Sequence, residues 1–355
     1  MHLKLFIPGP VDVKEEVLQK MATPMIGHRT KEATELQKRI SEKLQKLMYT
    51  QNTILLSTSS GTGMMEAGAR CLSNKRLAVF SVGAFGDRWY DLAINNAKEA
   101  DLFKSEPGEP TTPEMVEKAL ATGKYDAITV THNETSTGIM NPCKEIGEVV
   151  KKYPDVVYLV DSVSSLGGSK IEADAWGIDY LVSSSQKCLG LPPGLSVAAI
   201  SEKAIERAKT VEYRGFYFDL VKLYERVKKD YQYPSTPSLS HYFALDYQLS
   251  QILDVEGLDN RFARHEAMAK TVRAWAKEHF SLFAKEGYQS NTVTCINNDE
   301  SFDFKAVNAK LAEKGCTISN GYGPFKGKTF RIAHMADRQP EDLQALLGYL
   351  DEIVG

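Results

Sequence analysis

Two residues twenty-six positions apart carry the chemistry of this chain. Lys187 ends the segment Tyr180-Leu-Val-Ser-Ser-Ser-Gln-Lys187, an apolar strand that runs into small hydroxyl residues, and Gly190-Leu-Pro-Pro-Gly194 turns the chain after it. With no acidic neighbour in sequence to hold the amine as a surface ion pair, it reads as a Schiff-base lysine. Earlier, the apolar run Val156-Val-Tyr-Leu-Val160 ends on Asp161, followed by Ser162-Val163-Ser164-Ser165 and Gly167-Gly168. A carboxylate closing one buried strand and a lysine closing the next are what pyridoxal phosphate needs: one group bonds the aldehyde, the other keeps the ring nitrogen protonated. Taken singly, a lysine after a strand is most often a solvated loop residue, and an aspartate there a helix cap or turn former. The order and flanks of the pair point to a cofactor. The setting matters because a free lysine has a pKa near ~10.4, so its neutral amine at pH 7 costs roughly 4.6 kcal/mol.

Other segments supply what such a cofactor would touch. After the apolar run Thr53–Ser57 comes Thr58-Ser59-Ser60-Gly61-Thr62-Gly63, where a helix begins. Helix-start amides with Ser and Thr hydroxyls suit a phosphate dianion. The same residues also fit a plain helix cap, and Gly61-Thr62-Gly63 with Gly68 makes a loose dinucleotide fingerprint; no Walker lysine follows. In Val82-Gly83-Ala84-Phe85-Gly86-Asp87-Arg88, Phe85 reads as a ring that stacks on a pyridine or as an ordinary core residue. The stretch Thr131-His132-Asn133-Glu134-Thr135-Ser136-Thr137-Gly138 places more polar residues at a strand end than turn chemistry needs.

The elements that must position these residues alternate between Thr53 and Ile200: strands at Thr53–Ser57, Arg76–Val82, Ala127–Thr131, Val156–Val160, Tyr180–Ser183 and Ser196–Ile200, with amphipathic stretches such as Pro113–Ala121 and Lys144–Lys152 between them. That repetition predicts an α/β fold with a mainly parallel sheet covered by helices on both faces, its ligand at the carboxyl ends of the strands. Helices are expected at Thr30–Met48, Asp219–Lys229, Ser240–Val255 and Gly257–Phe280. A smaller α/β pattern follows: strand Thr292–Ile296, helix Asp303–Glu313, strands near Thr317 and at Phe330–Ala333, and helix Pro340–Ile353. The 355 residues exceed one comfortable core. The expected division is an N-terminal arm (1–13), a large cofactor-binding domain (14–256) and a small C-terminal domain (257–355).

A formal charge of −3, with both signs spread throughout, gives no face for nucleic acid and no polybasic membrane segment. No apolar run is long enough to span a membrane and no signal peptide is evident, so a cytoplasmic enzyme of small molecules is the expectation. Cys71, Cys143, Cys188, Cys295 and Cys316 are scattered without CxxC spacing, which argues against disulfides and zinc, and the seven histidines show no ligand spacing, so no metal is expected.

Pro8-Gly9-Pro10, Gly27-His28-Arg29, Ser60-Gly61-Thr62-Gly63, Gly83-Ala84-Phe85-Gly86, the 132–138 segment, Val160–Ser165, Ser185-Gln186-Lys187 and Arg331-Ile332 together resemble the class V pyridoxal-phosphate aminotransferases, specifically the alanine/serine–glyoxylate group. The resemblance covers essentially the whole chain and implies a fold-type I homodimer with sites at the subunit interface. It implies that Lys187 forms the internal aldimine and shuttles the proton, that Asp161 partners the pyridine nitrogen, and that Phe85, where the family often has Trp, stacks on the ring, with Val163 on the opposite face. Ser60, Gly61, Thr62 and Gln186 would hold the phosphate, Thr135 the polar edge of the ring, and Tyr233 and Thr236 the phosphate of the neighbouring subunit. Arg331 would bind the substrate α-carboxylate as a bidentate fork, with Gly9 beside the substrate; the other reading of Arg331 is an exposed strand charge. Arg29 has two readings, a distal substrate cation or a structural arginine under the N-terminal arm.

The expected reaction moves an amino group from alanine or serine to a 2-oxo acid such as glyoxylate or pyruvate. The alternatives are a dicarboxylic substrate such as aspartate, a cysteine desulfurase or kynureninase-like enzyme of the same fold, and a nucleotide-binding dehydrogenase built on Gly61-Thr62-Gly63. The strand-like context of Cys316 speaks against a desulfurase loop, and a dehydrogenase leaves Lys187 unexplained.

Overall fold

The computed structural model describes residues 2–298 and 302–354. Its strands are β1 (Lys4–Phe6), β2 (Thr53–Ser57), β3 (Leu77–Ser81), β4 (Ala100–Lys104), β5 (Ala127–Thr131), β6 (Asn133–Glu134), β7 (Ile139–Met140), β8 (Val157–Asp161), β9 (Tyr180–Ser184), β10 (Ser196–Ile200), β11 (Val293–Asn297), β12 (Cys316–Asn320) and β13 (Thr329–Ala333). Seven of them form one sheet in the order β2-β10-β9-β8-β5-β3-β4. The pairs β3–β4, β3–β5, β5–β8 and β8–β9 are parallel, whereas β10 runs antiparallel to both β9 and β2. The sheet is therefore mainly parallel, as the strand–helix alternation predicts, with one reversed strand inside it.

Strand alternation sorts the side chains into two cores. Ile54, Leu56, Ala78, Phe80, Tyr158 and Val160 join one cluster with Leu36, Ile40 and Leu44 of α2 (Lys31–Met48, after the short α1 at Glu15–Met21). The intervening Leu55, Leu77, Val79, Val157 and Leu159 join the opposite cluster with Met64, Met65 and Ala67 of α3 (Gly61–Cys71) and Trp89 of α4 (Ala84–Asn95). Because successive residues point to opposite faces, burial of both sets requires helices on both sides. The registers Thr131↔Asp161 and Asp161↔Val182 align the carboxyl ends of β5, β8 and β9 along one edge.

The C-terminal part builds a second sheet in the order β1-β12-β13-β11, with its own core of Phe6, Val272, Trp275, Ile296, Phe330 and Leu346. Thus Lys4–Phe6, within the expected arm, pairs in parallel with Cys316–Ile318. Strand β4 was not expected: Ala-Asp-Leu-Phe-Lys is too short and mixed to announce itself, and pairing with β3 supplies what its pattern lacks. The helix expected over 240–255 is α-helical at Leu239–Ser250 and widens to a π-helical turn at Gln251–Glu256, before a long helix at Leu258–His279. Among the described residues no helix is long and apolar enough to cross a membrane.

Candidate active site

Asp161 is the last residue of β8, and Lys187 follows the end of the adjacent β9 by three positions. Both are buried. Burial is the main cause that lowers the Lys187 amine to about 8; the charges of Arg331 and Arg88 push the same way, against Cys188 and Asp161. Burial likewise raises Asp161 to about 7, with Glu134 adding to it, while the Val163 amide and the charges of Arg88 and Lys187 oppose. The amine and the carboxyl are thus moved toward each other and toward neutrality, a frequent property of catalytic groups.

The Val163 amide donates to Asp161 Oδ1 at 2.8 Å, the hydrogen bond that fixes this carboxyl. Val163 itself packs on Gly61, where an added Cβ would stand 2.8 Å from the valine methyl. Lys187 Nζ donates to the Pro8 carbonyl, and Gly9 lies on the side chain of the lysine. A Cβ at Gly9 would come within 2.6–2.9 Å of Lys187 Cδ, Cε and Nζ, and its φ of +86° is a conformation that other residues avoid.

At the start of α3, Ser60 occupies the N-cap position without a side-chain hydrogen bond to its own helix, which leaves its hydroxyl and the first amides for another partner. Thr62 lies in the first turn. The buried Ser184 hydroxyl and Gln186 Oε1 have no hydrogen-bond partner among the described residues. Thr135 Oγ1 lies 2.5 Å from Ser164 Oγ, and Asn133 donates to Thr292 Oγ1 at 3.1 Å.

Arg331, in β13, is buried rather than exposed on its strand. Its Nη1 donates to the Thr135 carbonyl (3.2 Å), its Nε and Nη2 to the Asn320 carbonyl (3.0 and 2.8 Å) and its Nη2 also to Ser319 Oγ (3.3 Å). These neutral acceptors, from β12 and from the turn after β6, aim the fork without cancelling its charge.

Phe85 opens α4, next to Tyr322 from the turn between β12 and β13; the rings are stacked at 5.5 Å with 16° between their planes. Tyr233 is buried, its hydroxyl 3.4 Å from Ser57 Oγ, whereas Thr236 is exposed. Arg29 donates to Gln232 Oε1 and to the carbonyls of Tyr233, Pro234 and Ser235 at 2.5–3.3 Å. That geometry fits a structural arginine, although it braces the 232–235 loop rather than the N-terminal arm.

Sequence reasoning missed three contributors. Glu134, wholly buried, accepts from the amides of Phe85 and Gly86 with Oε2 and from the amide and hydroxyl of Ser136 with Oε1, so it caps the helix that presents Phe85. Arg88 approaches Thr62, Tyr322 and the Phe85 ring. It stands three positions after Phe85, a spacing that places both on one helix face and offered the available signal. Tyr322 had none, since only the fold brings its turn here.

These residues fit pyridoxal phosphate. Asp161 offers a buried carboxyl to a ring nitrogen, Lys187 an amine of lowered proton affinity to an aldehyde, and the start of α3 uncommitted donors to a phosphate. The class-V aminotransferase family matches residues 12–337. The chain is 41% identical to an uncharacterized aminotransferase of Methanocaldococcus jannaschii, covering 98% of this chain and 91% of that protein. It is 31% identical to the L-aspartate–glyoxylate aminotransferase of Paracoccus denitrificans, covering 97% and 88%. The crystal structure of an alanine–glyoxylate aminotransferase from Nostoc superposes with a TM-score of 0.94 at 28% identity, covering 100% of this chain and 96% of that one. From its buried strand-end lysine and aspartate to this full-length likeness, the chain belongs to the class-V aminotransferases, enzymes of pyridoxal phosphate.

Proposed function

We propose that this aminotransferase moves the amino group of a small amino acid, alanine or serine, to glyoxylate or pyruvate, with Lys187 and Asp161 as its catalytic residues. The observation that carries the reading is the convergence on one sheet edge of a buried amine lowered to about 8, a buried carboxyl raised to about 7 and a buried guanidinium whose hydrogen bonds run to neutral acceptors. Several relatives are named for glyoxylate as acceptor and one similar structure for pyruvate, which supports an acceptor of this kind.

When bound, pyridoxal phosphate supplies an aldehyde and a conjugated cationic ring that takes up the electron pair left as a substrate Cα–H bond breaks. Asp161 holds the proton on the ring nitrogen. Lys187 Nζ would be the amine that holds the aldehyde and the base that carries the proton at substrate Cα, and burial lowers its proton affinity for both tasks. Ser60, Gly61, Thr62 and Gln186 would hold the phosphate, Phe85 and Val163 would flank the ring, and Thr135 would meet its polar edge. Arg331 orients the α-carboxylate, and Gly9 with the Pro8 carbonyl covers the lysine and excludes water. A homodimer, in which Thr236 would approach the neighbouring phosphate, is supported by the exposure of Thr236 and by Tyr213 and Phe216, which are 87% and 78% exposed, whereas Tyr233, buried against Ser57 of its own chain, adds no support to its expected part in that contact.

Borohydride reduction of the holoenzyme followed by peptide mapping should put the pyridoxyl label on Lys187, and alanine with glyoxylate should yield pyruvate and glycine. A label on Lys203 or Lys209 would sink the assignment.

A further inference from the structure

Arg29 has its guanidinium committed to four oxygens of the 232–235 loop. Arg88 does not. It is half-buried in α4, with Nη1 3.3 Å from Thr62 Oγ1, Nη2 3.3 Å from the Tyr322 hydroxyl and its guanidinium carbon 4.7 Å from the centre of the Phe85 ring. Both hydroxyl contacts are long for an N–H donor, where about 2.9–3.0 Å is usual. Its side-chain hydrogen bonds run to no carboxylate among the described residues. Thr62, which it meets, follows Gly61, and Val163, whose amide holds Asp161, packs on that glycine, so Arg88 stands beside the residues that position the carboxyl.

Tyr322 connects this cation to the other one. Its hydroxyl receives Arg88, and its ring lies 5.7 Å from the Arg331 guanidinium. The tyrosine is 40% exposed, so solvent and substrate reach the space beside it. Two guanidiniums therefore adjoin one phenol, and a planar fork loosely held by two hydroxyls is suited to exchange them for a carboxylate.

We propose that Arg88 is a specificity residue that receives the second carboxylate of a dicarboxylic amino acid, or of its 2-oxo acid, of the aspartate class. The assignment rests on the reading of Arg331 as the holder of the α-carboxylate. The same enzyme then takes dicarboxylic donors in addition to alanine and serine, the longer substrate running past Tyr322 from one guanidinium to the other.

The test compares the wild-type, Arg88→Met and Arg88→Lys holoenzymes. Each is measured for kcat/KM on aspartate and on alanine, with glyoxylate as acceptor, for inhibition by succinate, which has two carboxylates and no amino group, and for cofactor affinity. The ratio of aspartate to alanine kcat/KM should fall by about 30-fold or more in Arg88→Met, as loss of one partner from a hydrogen-bonded charge pair implies. The succinate inhibition constant should rise by a similar factor. Arg88→Lys, which keeps the charge and loses the fork, should fall between. A ratio that stays at the wild-type value overturns the proposal, whether both substrates lose activity together or cofactor affinity alone declines. Wild-type enzyme that accepts alanine but neither aspartate nor succinate also overturns it, while leaving the small-substrate reading intact. Failure of every amino acid, with no label at Lys187, would instead count against that underlying reading.

Discussion

Asp161 shows how one buried group serves the reaction at the expense of the fold. Without cofactor bound, its carboxyl titrates near 7 rather than 3.8 because burial penalises the charge. Between those values the folded protein holds the proton that the unfolded chain releases, so stability falls as pH rises through the window, by on the order of 4 kcal/mol in all. Lys187 acts in the opposite sense at higher pH: from about 8 to 10.5 the unfolded chain binds the extra proton, and stability rises. Asp161→Asn keeps an acceptor for the Val163 amide and deletes the charge. At pH 8 the cofactor-free variant should unfold at higher urea than wild type, while transamination by the holoenzyme falls by about 100-fold or more. A variant with the wild-type urea midpoint and near-normal turnover would contradict both halves of this account.

Elements hold these residues through contacts that cross the chain. Glu134 meets four donors with its two oxygens, so Glu134→Gln must turn an NH2 toward one donor pair. The expected loss is about 1–3 kcal/mol in urea unfolding, together with weaker cofactor retention as the first turn of α4 loosens. Arg261, in the long helix at 258–279, plays the larger part. It is 1% exposed, and it donates to the carbonyls of Gly167 (2.8 Å) and Cys188 (2.7 Å) while pairing with Glu256 and Asp337. It thereby pins the loop after Asp161 to the loop that carries Lys187. Arg261→Met removes a buried cation, leaves the buried carbonyls of Gly167 and Cys188 without their donor and takes one partner from each of two partly buried carboxylates, and should cost about 3–5 kcal/mol in thermal or urea unfolding; a loss below 1 kcal/mol would show that the cluster carries little. Lys187 and Asp161 were legible in the sequence because an apolar run that stops on a polar residue marks a strand end. Glu134, Arg261 and Tyr322 were not, because each acts on a segment far away in sequence, and no local period encodes such an approach. Arg29 was legible as a residue of interest but not in its role, which depends on carbonyls about two hundred positions away.

At the scale of the whole molecule, the large sheet followed directly from the strand–helix alternation, since two-face burial leaves few other arrangements. The smaller sheet was legible except for its first strand, whose three residues, Lys4–Phe6, give no pattern of their own. The proposed homodimer makes a sharp prediction. Mixing Lys187→Ala with Thr236→Ala subunits creates, in each hybrid, one site with both defects and one with neither, so activity should rise well above that of either parent; no rise would favour sites complete within one chain. The course of the N-terminal segment has another consequence. Lys4–Phe6 pairs with Cys316–Ile318, and Pro8 and Gly9 then rest on Lys187. On the ribosome, the segment that covers the lysine is thus made before it and the strand that anchors that segment well after it. Since domains tend to fold as they emerge, the large sheet can form around an uncovered lysine, and the cover settles only when β12 is available. A nascent chain stalled before β12 would keep the amine open to aldehyde reagents that the finished enzyme turns away.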